Sequence, residues 1–257
     1  MSPIIPEWPA PDCVKAFSTL RSGGFSLSPY HGDASGAGGL NFGLHVGDNP
    51  ATVRQNRAFL REMLPSEPVW LNQVHGTVVI DAAMCTGVPD ADASFTCRKN
   101  IVCVVMTADC LPVLLCTSNG AVVAAVHAGW RGLAAGVLEN TVTAIRKMDG
   151  SEIMAWLGPA IGPRAFEVGV DVRKAFVGKD RRMAEAFRPE AARKGKYLAD
   201  IYELARQTLK KMEITRIYGG NDCTVSDTAR FYSYRRDGVT GRMATGIWTV
   251  SQMADVS

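Results

Sequence analysis

Three side chains stand out for the chemistry they could do together: His75 in "LNQVHG", Cys110 in "TADCLPVLL" and His127 in "AVVAAVHAGWRG". Two imidazoles and a thiol are donors that zinc and copper accept, and three protein ligands with a fourth position open describe a catalytic zinc site. A metal held this way lowers the pKa of bound water and polarises a substrate atom. The separations of 35 and 17 residues match no short zinc motif, so only the fold can unite the set. Taken singly, each residue has an ordinary reading as a hydrogen-bonded core histidine or an inert buried thiol. Asp109, beside Cys110, is the nearest carboxylate in sequence and a candidate to shuttle a proton. Arg131, flanked by Gly129 and Gly132, stands at an expected helix start, where free N–H groups and a guanidinium favour phosphate or carboxylate. Arg57, Arg21 and the pair Arg235-Arg236 are further candidates for anion contact, each also readable as an ordinary surface arginine.

The elements that must bring these residues together are legible as apolar runs. "LPVLLCT" and "AVVAAVHA" read as strands joined at Ser118-Asn119-Gly120. If Asn119-Gly120 forms a two-residue turn, Pro112 lies opposite His127 and Cys110 opposite Gly129, placing Cys110 and His127 on one face as diagonal neighbours. A three-residue loop would put them on opposite faces. Leu133, Val137, Leu138, Thr141, Val142 and Ile145 recur at helical spacing up to Asp149-Gly150, so a helix follows the His127 strand. Upstream, Asn49 can cap and Pro50 open a helix with the stripe Val53, Phe59, Leu60 and Met63. The glycine-rich run "HGDASGAGGLNFG" is a loop, either mobile at the surface or placed where backbone approaches something closely.

The second half offers a strand in "EIMAWLG", a Gly-Pro loop, a short helix near Val170 to Phe176 and a charged stretch from Gly178 to Lys196. A helix from Leu198 to Met212 and a strand in "ITRIYGG" follow, and "RFYSYRRDG" and "GRMATGIWTV" read as closing antiparallel strands. Strands and helices mix without regular alternation, which predicts an α+β fold on mixed sheets, organised as one domain over residues 1–257. A hydrophobic content of 47% and 21% charged residues are ordinary for a soluble globular chain. The formal charge of +3 is scattered and too weak to argue for nucleic acid. Asp109 and Pro112 interrupt the most apolar window, so no membrane span is expected. Seven cysteines without a CxxC, and no apolar signal core at the start, predict reduced thiols in the cytoplasm.

Longer blocks then follow in order: "LNFGLHVGD", Asn56-Arg57, "NQVHG", "TADCLPVLL", "HAGWRGL", "LGPAIGP" with "FEVG", and "FYSYRRDGVTGRMA". With them the chain, from about Phe17 to Ile247, closely resembles the laccase-domain family, also called the polyphenol oxidase or peptidoglycan-editing-factor family. The resemblance implies a sandwich-like core of mixed β-sheets flanked by helices, similar to the cytotoxic-necrotizing-factor deamidases. It implies zinc held by His75, Cys110 and His127, with copper as the alternative metal. It further implies purine nucleoside phosphorylase activity on adenosine, inosine, guanosine and methylthioadenosine, with adenosine deaminase activity besides, so that the partners are a purine nucleoside and phosphate. By matching motifs, Arg57 is a candidate for substrate or phosphate contact, with Asn41 beside it. In phosphorolysis, phosphate attacks C1′ of a ribose with oxocarbenium character, and arginines such as Arg57 and Arg131 would position it. In deamination, water attacks the purine C6 with Asp109 as proton shuttle. The loop from His31 to Gly39 departs from the family pattern in looking longer.

Other chemistries compete. Oxidation of phenols by several coppers needs more imidazoles than His31, His45, His75 and His127 supply, although a single copper fits a His-Cys-His set. A cysteine hydrolase editing peptidoglycan precursors would use Cys110 as nucleophile and His127 as its base, and chelators would leave it active. A purely structural zinc would need a fourth ligand, for which Cys223 in "NDCT" is the candidate.

Overall fold

Successive side chains on a strand point to opposite faces, so a strand that is apolar throughout needs cover on both. The central hairpin is of this kind: every residue of Leu111–Thr117 and Val123–Ala128 is buried. The computed structural model describes residues 2–33 and 35–251 and covers both faces by stacking two sheets between layers of helix. The expectation of one domain over 1–257 extends to Met1, Ala34 and residues 252–257, which lie outside the described residues.

In chain order the first elements are β1 (Val14–Ser18), β2 (Ser22–Ser26), α1 (Pro50–Arg61), β3 (Val79–Asp81), β4 (Ala93–Thr96) and β5 (Cys103–Thr107). Next come β6 (Leu111–Thr117), β7 (Val123–Ala128), α2 (Trp130–Ala135), α3 (Val137–Met148), β8 (Ile153–Leu157), β9 (Glu167–Gly169) and α4 (Val170–Val177). The last are β10 (Phe187–Pro189), β11 (Lys196–Ala199), α5 (Ile201–Lys211), β12 (Ile217–Gly219), α6 (Tyr234–Asp237) and β13 (Met243–Thr249). A six-stranded sheet runs β12-β8-β6-β7-β4-β3, parallel at its two outer pairs and antiparallel between them. A three-stranded antiparallel sheet runs β1-β13-β5, and a small one runs β10-β11-β9.

Between the two larger sheets, Leu114, Val123, Ala125 and Trp156 pack on Cys103, Val105 and Ile247. The opposite face of the large sheet, carrying Leu111, Val113, Leu115 and Val126, packs on Val142 and Ile145 of α3 and Leu204 and Leu209 of α5. Beyond the β1-β13-β5 sheet, Val102, Val104 and Ala244 pack on Phe42, Trp70 and Leu60 of α1. The fold is therefore α+β with mixed and antiparallel sheets. Among the described residues no helix is long and apolar enough to cross a membrane.

Pro112 pairs with His127, the register expected from the turn, although the ladder closes at the Thr117 N–H to Val122 carbonyl bond and the connection is longer than two residues. Four local expectations need correction. The helix after His127 is broken into α2 and α3 by Gly136, whose left-handed φ of 114° ends one and starts the other. The helix α1 stops at Arg61 and buries Asn56 rather than Met63, which is exposed. Residues from Leu198 first complete β11, and α5 starts only after Asp200, whose side chain accepts the Glu203 N–H. In "RFYSYRRDG" the alternation is not a strand: Ser233 accepts the Arg236 N–H and caps α6, while Phe231 and Tyr232 fill the core. The glycine-rich loop is packed at its far end, where Leu40, Asn41 and Phe42 are fully buried.

Candidate metal centre

The chain crosses from the β1-β13-β5 sheet to the six-stranded one between β5 and β6 in three residues, Ala108, Asp109 and Cys110. Asp109 adopts a left-handed φ of 90°, rare outside glycine. Its Oδ1 accepts from Thr224 Oγ1, and its Oδ2 from the Arg235 N–H at 2.6 Å. The tight crossing sets Cys110 just before β6, diagonal to His127 on β7. His75 arrives from a loop and is itself left-handed, with φ of 59°. The ligand atoms of His75, Cys110 and His127 lie within 4.8 Å of one another.

Cys110 Sγ and His75 Nε2 are 3.7 Å apart, close to the roughly 3.5 Å expected for sulfur and nitrogen on one tetrahedral zinc. A Cβ at Gly129 would stand 2.8 Å from His75 Cδ2, 3.1 Å from Cys110 Sγ and 3.4 Å from His127 Nε2. Glycine thus leaves free the space on which the three residues converge. Two nitrogens and one sulfur around such a space fit zinc, or a single copper.

The electrostatics favour a thiolate at Cys110 and a protonated ring at His127, which must release its proton to ligate. Burial opposes charge on both Cys110 and His127, but their mutual attraction and the bond from His127 to Asp92 outweigh it, so the thiol is pushed down and the imidazole up. Thiolate is the form in which cysteine binds a metal. Asp92 is fully buried; burial raises its pKa, yet the His127 ring and the Gly76 and His75 N–H groups hold it below its ordinary value. Sequence reasoning missed Asp92, because nothing in "DADASF" announces that its partner is the His127 ring 35 residues on.

The donors form one wall of a cavity of about 530 Å³. Asp109 lines it, as do the guanidinium-bearing Arg131, Arg235 and Arg242, with Trp130, Phe166 and Tyr234 as aromatic walls. His45 and Arg242 also went unread in the sequence, lone members of longer blocks. Burial, with Arg242 and Arg57 nearby, lowers the His45 pKa and favours the neutral ring. Gln73 lines the cavity too, its amide bonded to both the N–H and carbonyl of Met106.

Other expected contacts lie elsewhere. Asn41 does not line the cavity: its amide bonds the Gly43 carbonyl and Asp48, and its oxygen accepts the Gly43 and Arg242 N–H groups. Arg57 also stands behind the wall, donating twice to the Phe42 carbonyl and lying 3.9 Å over the Trp70 ring. Arg21 donates to the His31 and Thr228 carbonyls, and Arg236 to those of Thr224, Val225 and Phe231, so both hold loops together. Cys223 is no member of the donor group; its sulfur accepts the Gly162 N–H and the Ser226 hydroxyl.

Known proteins share this architecture. A Shigella flexneri protein named purine nucleoside phosphorylase YfiH is 52% identical over 253 residues, covering 96% of this chain and 98% of the relative. A Pseudomonas aeruginosa protein, also named a purine nucleoside phosphorylase, is 51% identical over 245 residues, covering 95% and 97%. A crystal structure from Neisseria meningitidis superimposes with a TM-score of 0.90 at 48% identity, covering 98% of this chain and all of that one. A family described as multi-copper polyphenol oxidoreductase laccase matches residues 15–250. On that match and those identities, the chain belongs to the laccase-like family so described.

Proposed function

We propose that the protein is a zinc-dependent purine nucleoside phosphorylase that also deaminates adenosine. The observation that carries this reading is a single cavity with the His75, Cys110 and His127 donors on one wall and Arg131, Arg235 and Arg242 around it. The names of the relatives in Shigella and Pseudomonas support the nucleoside reading. Zinc is preferred over a copper cluster because only two of the four histidines join the donor group among the described residues.

In this reading the arginines bind phosphate and hold it in line with the ribose C1′, where its oxygen attacks as the bond to the purine breaks. Trp130, Phe166 and Tyr234 stack on the base and exclude water. Asp109, on the wall beside Cys110, is the carboxylate assigned to proton transfer at the purine. Bound at the three donors, zinc would supply Lewis acidity and a lowered pKa for water, which is what attack at the purine C6 requires as the C6–N bond breaks and the protonated amine leaves as ammonia. The substrates assigned are adenosine, inosine, guanosine and methylthioadenosine, and the compartment assigned is the cytoplasm.

The test is chromatography of adenosine incubated with zinc-loaded protein, with and without phosphate, beside Cys110→Ala. Adenine and ribose-1-phosphate are expected only with phosphate, inosine without it, and neither from the variant. Unchanged adenosine would overturn the reading. One observation favours a second chemistry: Cys110, His127 and Asp92 stand in nucleophile, base and orienting order, with His127 Nδ1 2.7 Å from Asp92. That arrangement would serve a cysteine hydrolase acting on peptidoglycan precursors.

A further inference from the structure

Asp92 touches both histidine donors, one through its ring and the other through its backbone. Its Oδ1 accepts from His127 Nδ1 at 2.7 Å and from the His75 N–H at 2.9 Å. Its Oδ2 accepts from the Gly76 N–H at 2.6 Å and the Val74 N–H at 3.3 Å. The side chain is fully buried and lines no part of the cavity, so it reaches neither a substrate nor the space between the donors. Three successive backbone N–H groups converging on one anion form a nest, a geometry that holds the chain in a turn. Here the turn includes His75 in a left-handed conformation, with φ of 59°, uncommon outside glycine.

We propose that Asp92 is the positioning residue that assembles the metal centre before any metal arrives. By accepting the proton on His127 Nδ1, it turns Nε2 toward the space beneath Gly129. By gathering the N–H groups of Val74, His75 and Gly76, it sets His75 Nε2 against Cys110 Sγ. One carboxylate therefore fixes two of the three donors, while Cys110 is fixed separately by the crossing from β5 to β6. A carboxylate behind a ligating histidine commonly tunes one ligand; here the same group also shapes the loop of a second. This inference rests on the reading that His75, Cys110 and His127 hold a metal.

The experiment is cobalt(II) titration of the full-length protein, followed by its visible spectrum, with zinc affinity measured against a chromophoric chelator. The proteins compared are wild type and Asp92→Asn. An amide in place of the carboxylate must present an NH₂ group to one of the donors it now accepts from, so one donor faces another. Zinc affinity is expected to fall about 10- to 100-fold, and the cobalt bands to weaken as tetrahedral coordination is lost, with circular dichroism unchanged. Wild-type affinity and spectrum in the variant would overturn the inference while leaving the metal reading intact. A wild type that binds neither metal would overturn both. Should the variant not fold, proton NMR of the cobalt-loaded wild type decides: His127 Nδ1–H, buried against Asp92, should give a paramagnetically shifted, slowly exchanging resonance. Its absence overturns the assignment of Asp92.

Discussion

At Gly129 a single methyl group decides whether the donors can converge. His127 is held by its strand and Cys110 by the crossing, so a Cβ there must displace the His75 ring, which comes from an exposed loop. Gly129→Ala should keep its melting midpoint yet bind zinc at least about 10-fold more weakly, measured by chelator competition; unaltered affinity would place the metal elsewhere. The arginines divide by what their guanidiniums touch. Arg57 donates to the Phe42 carbonyl at 2.8 and 3.0 Å and covers the Trp70 ring, and burial pushes its pKa down to about 10. Arg57→Ala should therefore cost about 1–3 kcal/mol in chemical denaturation and leave the phosphate KM nearly unchanged. Arg131 is exposed at the cavity, stacked 4.6 Å over Trp130. Arg131→Ala should do the reverse, raising the phosphate KM about 10-fold at constant stability, the equivalent of one charge-assisted contact. Equal effects of the two substitutions on KM would sink this division.

At the scale of elements, the break at Gly136 lets α2 carry Trp130 and Arg131 to the cavity while α3 turns its apolar face into the core. A Cβ at Gly136 would meet only the Glu139 carboxylate, at 3.7 Å, so space is not the constraint; the φ of 114° is. Gly136→Ala should cost about 1–2 kcal/mol, seen as a melting midpoint lowered by about 2–4 °C for each kcal/mol in a chain of this size. The same elements explain what the sequence makes legible. The β6–β7 hairpin and the shared face of Cys110 and His127 follow from an apolar run and a turn signal, both local. His75 joins them through Asp92, which just before β4 accepts three N–H groups of its loop, and no local pattern encodes that. Tyr232 likewise reads as part of a strand until its hydroxyl is seen bonding to the Tyr30 carbonyl, 202 residues away. Asn41 sits in a recognisable motif, yet its amide is occupied in bracing Gly43, Asp48 and the Arg242 backbone. Motif position marked its neighbourhood and not its contacts.

At the scale of the whole molecule, the cores on both faces of the six-stranded sheet are built from apolar side chains, and the donor group stands at the end of the strands rather than within those cores. Metal removal should therefore abolish chemistry without unfolding the chain, unlike a small zinc-dependent domain. Dialysis against a chelator is expected to leave the far-ultraviolet circular dichroism intact, stop phosphorolysis, and allow recovery on adding zinc. Binding to the native state alone stabilises it by about 2.7 kcal/mol when free zinc is 100 times Kd, which corresponds to roughly 5–10 °C in melting midpoint for a chain of this length. Cys110→Ala should abolish that shift. The comparison also separates the two chemistries supported by the same three side chains. If the chelated protein stays active while Cys110→Ala is dead, the sulfur works as a nucleophile with His127 and Asp92 behind it. If both lose activity and only the chelated protein recovers with zinc, the sulfur works as a ligand.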